Sequence, residues 1–142
     1  MASEPIEILL VEDNPAEIRL TVEGLKEGRI ANRLHSVTDG DMALDFLYRR
    51  GAYKSAPRPD LILLDLNLPG IDGRTVLRQI KEDPELKVTP IVIITSSEAE
   101  SDIIKSYEAH ANCFISKPID FAGFAQVIRS IENFWFTVVR LP

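Results

Sequence analysis

Three runs along the chain are apolar at every position: Ile8-Leu9-Leu10-Val11, Leu61-Ile62-Leu63-Leu64 and Ile91-Val92-Ile93-Ile94. A strand with one wet face alternates between apolar and polar residues. A strand that does not alternate is covered on both faces, as the central strands of a parallel sheet are when helices pack on either side. Two weaker segments complete the set: Arg33–Val37, which alternates like a half-exposed edge, and Cys113–Ser116, which is short and mixed. Five strands are predicted.

The segments between them have helical periodicity and legible starts. Asn14, with Pro15 at the first helical position and Glu17 three residues after the cap, opens a helix whose Ile18, Val22 and Leu25 share a face before Gly28. Further helices are predicted over Asp41–Arg49 (Ala43, Phe46 and Leu47 inward), Gly73–Glu82 (Val76, Leu77 and Ile80 inward) and Ser97–His110 (Ile103, Ile104 and Tyr107 inward). A fifth begins after Asp120 and runs at least to Phe136. Strands alternating with helices read as βαβ units, and so as an α/β fold. The connection Arg50–Pro59 carries two prolines and exceeds the usual turn of ~2–6 residues, with no evident purpose.

Composition narrows the class. At 142 residues the chain has the size of one domain, read here as 1–142 with an extended helix or tail from about residue 134. No apolar run approaches the ~20 residues that span a bilayer. The start, Met1–Glu7, lacks the basic and apolar regions of a signal peptide, and the single Cys113 cannot form an internal disulfide. A cytoplasmic location without membrane contact is expected. Twenty-two acidic against 16 basic residues give a net charge of −6, which disfavours nucleic acid and favours a small cation or a protein as partner.

In an open parallel sheet, ligands bind beyond the carboxyl ends of the strands, beside the point where strand order reverses. Those ends carry Glu12-Asp13, then Asp65 followed by Leu66-Asn67-Leu68-Pro69-Gly70, then Thr95-Ser96, and last Ser116-Lys117-Pro118. A terminal polar group usually just solvates a strand end, but five such groups, Glu12, Asp13, Asp65, Thr95 and Lys117, at four tips go beyond that reading. Three carboxylates in one cleft repel each other unless a cation lies between them. Hard oxygen donors suit Mg²⁺, and without His or Cys beside them zinc is a poor candidate. A carboxylate so placed can attack a phosphoryl group in line, with an ammonium and a hydroxyl, here Lys117 and Thr95, spreading the charge.

In this order and spacing, Glu12-Asp13, Asp65 with Asn67, Leu68-Pro-Gly-Ile-Asp-Gly73, Thr95-Ser96 and Lys117-Pro118 resemble the response-regulator receiver family over the whole chain. The resemblance implies a doubly wound, flavodoxin-like sheet of order 2-1-3-4-5, and a two-component phosphorelay protein that accepts a phosphoryl group from a histidine kinase. It implies Asp65 as phosphoacceptor, with Mg²⁺ bound by Asp65, Asp13 and the Asn67 carbonyl, and by Glu12 mainly through water. Thr95 and Lys117 would contact the phosphoryl oxygens, and the Lys117-Pro118 bond would be cis. Thr95 and Phe114 would form the switch pair; phenylalanine lacks the hydroxyl common there, so packing alone would drive its rotation.

Finer features, the Pro57-Arg58-Pro59-Asp60 loop end, Asp65-Leu-Asn-Leu-Pro69 and the tail Phe134–Pro142, resemble the single-domain regulators of bacterial phytochrome-type histidine kinases. Along the last helix Phe124, Val127, Ile128, Ile131, Trp135 and Val138 fall on one apolar stripe, widened by Phe134 and Phe136. Together with that resemblance, this leads us to expect a homodimer through Ile131, Phe134, Trp135, Phe136 and Val138. No output domain is legible, so signalling is expected to pass through protein contact, with no turnover beyond self-phosphorylation and self-dephosphorylation. A haloacid-dehalogenase-type phosphatase would carry its nucleophile on the first strand within Asp-x-Asp. A pseudo-receiver would have lost site residues, and a flavodoxin would need a glycine- and hydroxyl-rich loop where Glu12-Asp13 stands. His35 and His110 are read as surface or capping residues and Cys113 as a small core residue.

Overall fold

The apolar runs all become strands of one parallel sheet, in which each strand sends alternate side chains into two different cores. The computed structural model describes residues 5–26, 31–95 and 113–116; the expectations for Ser97–His110, for Lys117-Pro118 and for the last helix and its tail lie outside them. The strands are β1 (Ile6–Val11), β2 (Asn32–Val37), β3 (Leu61–Asp65), β4 (Ile91–Thr95) and β5 (Cys113–Ser116), in the order β2-β1-β3-β4-β5. Every neighbouring pair is parallel. The expected order is the one found.

On one face Leu9, Val11, Ile62, Leu64, Ile91 and Ile93 pack against α2 (Gly40–Tyr48) and α3 (Gly73–Glu82). On the other, Ile8, Leu10, Leu61, Leu63 and Val92 pack with Leu25 of α1 (Pro15–Lys26). Period-two alternation therefore persists in the central strands, but both destinations are dry, which is why the sequence shows no polar beat. Full burial of each such side chain is worth about 1.5–3 kcal/mol. Among the described residues no helix is long and apolar enough to cross a membrane.

The element boundaries differ from the sequence pattern by a residue or two, for local reasons. Asp39 Oδ1 accepts the Met42 N–H at 2.8 Å and caps α2, which therefore starts at Gly40 rather than Asp41. Arg49 adopts the left-handed conformation (φ 56) and closes the helix with its N–H on the Asp45 and Phe46 carbonyls, so it lies outside α2. On α1 the buried residues are Thr21 and Leu25, with Ile18 and Val22 only half-buried. The inward face is rotated from the expected one because the Thr21 hydroxyl satisfies itself on the Glu17 carbonyl at 2.8 Å, leaving its methyl to pack.

The long connection after α2 is more ordered than its prolines suggest. It contains a single 3₁₀ turn, Gly51–Tyr53, and the Tyr53 ring lies 5.4 Å from Phe46, tilted against it. Its far end is tied twice to β1: Asp60 N–H donates to the Glu7 carbonyl at 2.7 Å, and Glu7 N–H donates to Asp60 Oδ2 at 2.8 Å. The Glu7 side chain turns to β2, meeting His35 Nε2 at 2.8 Å and Arg33 at 3.1 Å. The His35 contact, helped by Arg33 and opposed by burial, holds this carboxyl below its ordinary value of 4.5. His35 does not cap a helix and is half-buried at the surface: its ring nitrogen meets Glu7, and its ring lies tilted on Phe46 at 5.4 Å.

Close backbone approach fixes where α3 starts. A Cβ on Gly73 would stand 2.4 Å from the Asp65 carbonyl oxygen and 2.5 Å from Leu66 Cα. No side chain at the end of a flexible arm is involved, so nothing can yield cheaply. Gly73→Ala is expected to cost about 1–3 kcal/mol, as overpacking in cores does. Urea unfolding should show it as a lower midpoint with an unchanged slope.

Candidate metal centre

The register of β1 against β3 sets the site. Val11 pairs with Leu64, so the next residues, Glu12 and Asp65, stand side by side at adjacent strand tips. Both are buried, at 2% and 1% exposure, while Asp13 reaches solvent. Carboxylate oxygens of Glu12, Asp13 and Asp65 lie within 4.8 Å of one another. These three residues are among those expected as ligands, and the fold brings them together.

Each buried acid is oriented by backbone. Glu12 continues the ladder, its N–H donating to the Val37 carbonyl at 3.0 Å, and its Oε2 accepts the Asn14 N–H at 3.2 Å. That N–H belongs to the cap of α1: Asn14 Oδ1 itself accepts from Ala16 and Glu17 at 2.9 and 3.3 Å. The Glu12 carboxylate therefore lies at the positive end of a helix. Asp65 Oδ1 accepts the Asn67 N–H at 2.9 Å, which fixes the plane of the carboxylate.

The segment between β3 and α3 is held from beneath. Leu66 is buried, and Leu68 and Ile71 pack partly against the larger core, which leaves Asn67, Pro69 and Gly70 on the outside. Gly70 turns the chain at φ 71, a conformation that glycine takes without steric cost. The Gly73 N–H returns to the Leu66 carbonyl at 3.2 Å. Asp72 then caps α3 through the Arg74 N–H at 2.8 Å and pairs with the Arg74 guanidinium at 3.0 Å. Burial works to raise the Asp72 carboxyl, but the Arg74 bonds outweigh it and hold it below its ordinary value of 3.8.

The remaining expected residues are placed by backbone alone or not at all. Ile94 pairs with Asp65 and Thr95 with Ser116, so Thr95 is the last residue of β4, one step beyond the level of Asp65. Phe114 pairs with Ile93 on β5. The side-chain positions of Thr95 and Phe114, and all of Lys117 and Pro118, lie outside the described residues. Two contributors had escaped the sequence reading as parts of the site: the Asn14 N–H on Glu12, and the Asp72–Arg74 pair that closes the loop. The Asn-Pro helix start was a visible signal for the first; the second had none beyond an acid one residue before a helix.

The donor set fits a divalent cation. It is all oxygen, contains no His or Cys, and mixes two buried acids with one at the surface, as a site that retains water requires. Two like charges 4 Å apart repel by about 4 kcal/mol at a typical effective dielectric. A cation reverses the sign of that interaction for all three acids.

Comparison with known proteins agrees with this geometry. Residues 8–129 match the model of the response regulator receiver domain. The chain is 46% identical to response regulator Rcp1 of Synechocystis sp. over 141 residues, covering 99% of this chain and 96% of that one. Among solved structures it is similar to the phosphorylated cyanobacterial phytochrome response regulator RcpA, with TM-score 0.85, 45% identity, and coverage of 98% and 99% of the two chains. The Mn²⁺-bound form of Rcp1 superposes with TM-score 0.84 and 47% identity, covering 97% and 99%. The chain belongs to the response regulator receiver family and is a response regulator of phosphorelay signalling.

A cation that binds the folded cluster and has no comparable site in the unfolded chain stabilises the fold. At a concentration about 100 times its dissociation constant the gain is about 2.7 kcal/mol. For a domain of this size, that is a rise of roughly 5–10 °C in Tm. Mg²⁺ and Mn²⁺ titrations followed by calorimetry should show it in the intact protein. In Asp13→Ala the rise should fall to a small fraction, while the Tm without metal stays the same or increases.

Proposed function

We propose that this receiver takes a phosphoryl group onto Asp65 from the phosphohistidine of a phytochrome-type histidine kinase, with Mg²⁺ bound by Glu12, Asp13, Asp65 and the Asn67 carbonyl. The observation that carries this reading is Asp65 itself. It is buried at a strand tip, its plane held by the Asn67 N–H, with Glu12 and Asp13 within 4.8 Å. The kinase assignment is supported by the likeness to RcpA, a cyanobacterial phytochrome response regulator, over 98% of the chain.

In the transfer, an Asp65 carboxylate oxygen forms a bond to phosphorus as the bond from phosphorus to the histidine nitrogen breaks. The ring nitrogen keeps the electron pair, and the product is an acyl phosphate on Asp65. The Asn67 N–H holds the carboxylate against rotation, so that it meets phosphorus in one orientation. Bound Mg²⁺ supplies positive charge against the phosphoryl oxygens. In the same reading Lys117 and Thr95 contact those oxygens, and movement of Thr95 makes room for Phe114. Hydrolysis returns the free carboxylate, so the chain is a signalling domain with no separate substrate to turn over. A haloacid-dehalogenase-type phosphatase would place its nucleophile on the first strand within Asp-x-Asp; here the first strand is followed by Glu12-Asp13-Asn14, and the buried aspartate that accepts a loop N–H, Asp65, ends the third.

With acetyl phosphate and Mg²⁺, the intact protein should gain one phosphoryl group by mass, and Asp65→Asn should gain none. Labelling of Asp65→Asn to the same extent would overturn the assignment.

The same reading includes a homodimer formed by the apolar stripe at Ile131, Phe134, Trp135, Phe136 and Val138, which would link phosphorylation at Asp65 to self-association. Light scattering on the intact chain and on a chain ending at Asn133 is expected to give a dimer and a monomer respectively. An intact chain that stays monomeric at high micromolar concentration, with and without a phosphate mimic, would remove the dimer from the scheme.

A further inference from the structure

An open pocket of about 310 Å³ lies where the long connection after α2 passes the edge of the sheet. Its walls include His35, Ser36 and Val37 of β2, Phe46 of α2, and Tyr53 and Pro57 of the connection. None of these residues belongs to the metal centre. Its size is at the lower end of the range for specific binding pockets, and three of its walls are aromatic rings.

β2 is the first strand in the order β2-β1-β3-β4-β5, and among the described residues it is paired on one side only. Which of its backbone groups face outward follows from the ladder. Ile6 N–H donates to the Ala31 carbonyl and Glu12 N–H to the Val37 carbonyl, each at 3.0 Å. Parallel pairing alternates, so Arg33 and His35 also turn their backbone groups to β1, and Leu34 and Ser36 turn theirs to the open edge. The pocket is therefore lined by three consecutive residues of an edge strand, the middle one presenting backbone N–H and C=O outward. An edge of this kind is a template for another strand.

The stretch of chain that walls the pocket is basic in an acidic protein. Although the net charge is −6, four of the 16 basic residues, Arg49, Arg50, Lys54 and Arg58, fall within the ten positions 49–58, the stretch that supplies Ala52, Tyr53, Ser55, Ala56 and Pro57 to the pocket. Arg50 is paired with Asp45 and Arg58 with Glu85, each at 3.1 Å. Arg49 and Lys54 are exposed and have no carboxylate partner among the described residues.

We propose that this edge and pocket form a docking site for an extended acidic peptide of a partner protein. The peptide adds as a strand beside β2 through Leu34 and Ser36, inserts one large apolar side chain against Phe46 and Tyr53, and sets its carboxylates opposite Arg49 and Lys54. Strand addition supplies main-chain hydrogen bonds and the pocket supplies selectivity. The connection of 50–59, which has no part in the metal site, thereby acquires a role as the outer wall.

The test is selection from a randomised twelve-residue peptide library displayed on phage, against the full-length protein. Enriched peptides are expected to be acidic with one aromatic or large aliphatic anchor, and to weaken as salt rises. Their Kd should increase at least tenfold in Arg49→Glu/Lys54→Glu and in Tyr53→Ala. Ser36→Pro, which removes only an outward N–H of an edge strand, should weaken them similarly. Unchanged phosphorylation of Asp65 by acetyl phosphate in all three variants would show that the fold is kept. Absence of enrichment, basic consensus peptides, or affinities indifferent to these variants would overturn the proposal. So would saturable binding of ADP at the pocket without any peptide, which would mark a nucleotide site instead.

Discussion

Two buried carboxylates side by side are the constraint from which the site follows. The pairing of Val11 with Leu64 places Glu12 beside Asp65 at nearly complete burial. Unpaired ionised acids cannot be taken out of water cheaply, so the fold must supply compensating groups or admit a cation. It does some of each. The Asn14 N–H at the start of α1 meets Glu12, and the Asn67 N–H meets Asp65. What remains is a negatively charged notch with a third acid, Asp13, at its mouth. The notch arises where it does because chain connections leave β1 and β3 in opposite directions, and side chains at the strand ends face a crevice there.

The loop after β3 shows how a mobile-looking sequence is made stiff. Leu-Asn-Leu-Pro-Gly-Ile-Asp reads as a turn, yet Leu66, Leu68 and Ile71 anchor it to the larger core, and Gly73 presses α3 directly onto the Asp65 carbonyl. Asn67 and the turn at Pro69-Gly70 are left on the outside. Asp65 is thereby oriented in part by backbone whose own position is determined by packing.

Much of this was legible beforehand because strong signals sit in the central strands. Three runs without a polar beat can hardly be anything but strands covered on both faces, and their tips name the acids. The misses within the helices share another cause, which is that local hydrogen bonds override side-chain patterning. Thr21 is buried because its hydroxyl finds the Glu17 carbonyl, and α2 stops before Arg49 because a left-handed residue closes it. His35 reads as an isolated surface residue only while Glu7, 28 positions earlier, is out of sight. The connection of 50–59 looked purposeless because the contact of Tyr53 with Phe46 leaves no periodic trace.

The double tie between Glu7 and Asp60 joins residues 53 positions apart, and β1 pairs with β3 from just beyond it. Parallel strands cannot meet until the intervening chain has closed on itself, and non-local closure of that kind slows folding. Glu12 and Asp65 thus become neighbours only once β1 and β3 have paired. A ligand whose donors meet only in the paired sheet binds the folded protein and not the open chain, and each copy must release it before it can come apart. The divalent metal available to a cell would then help to govern how long each folded copy persists.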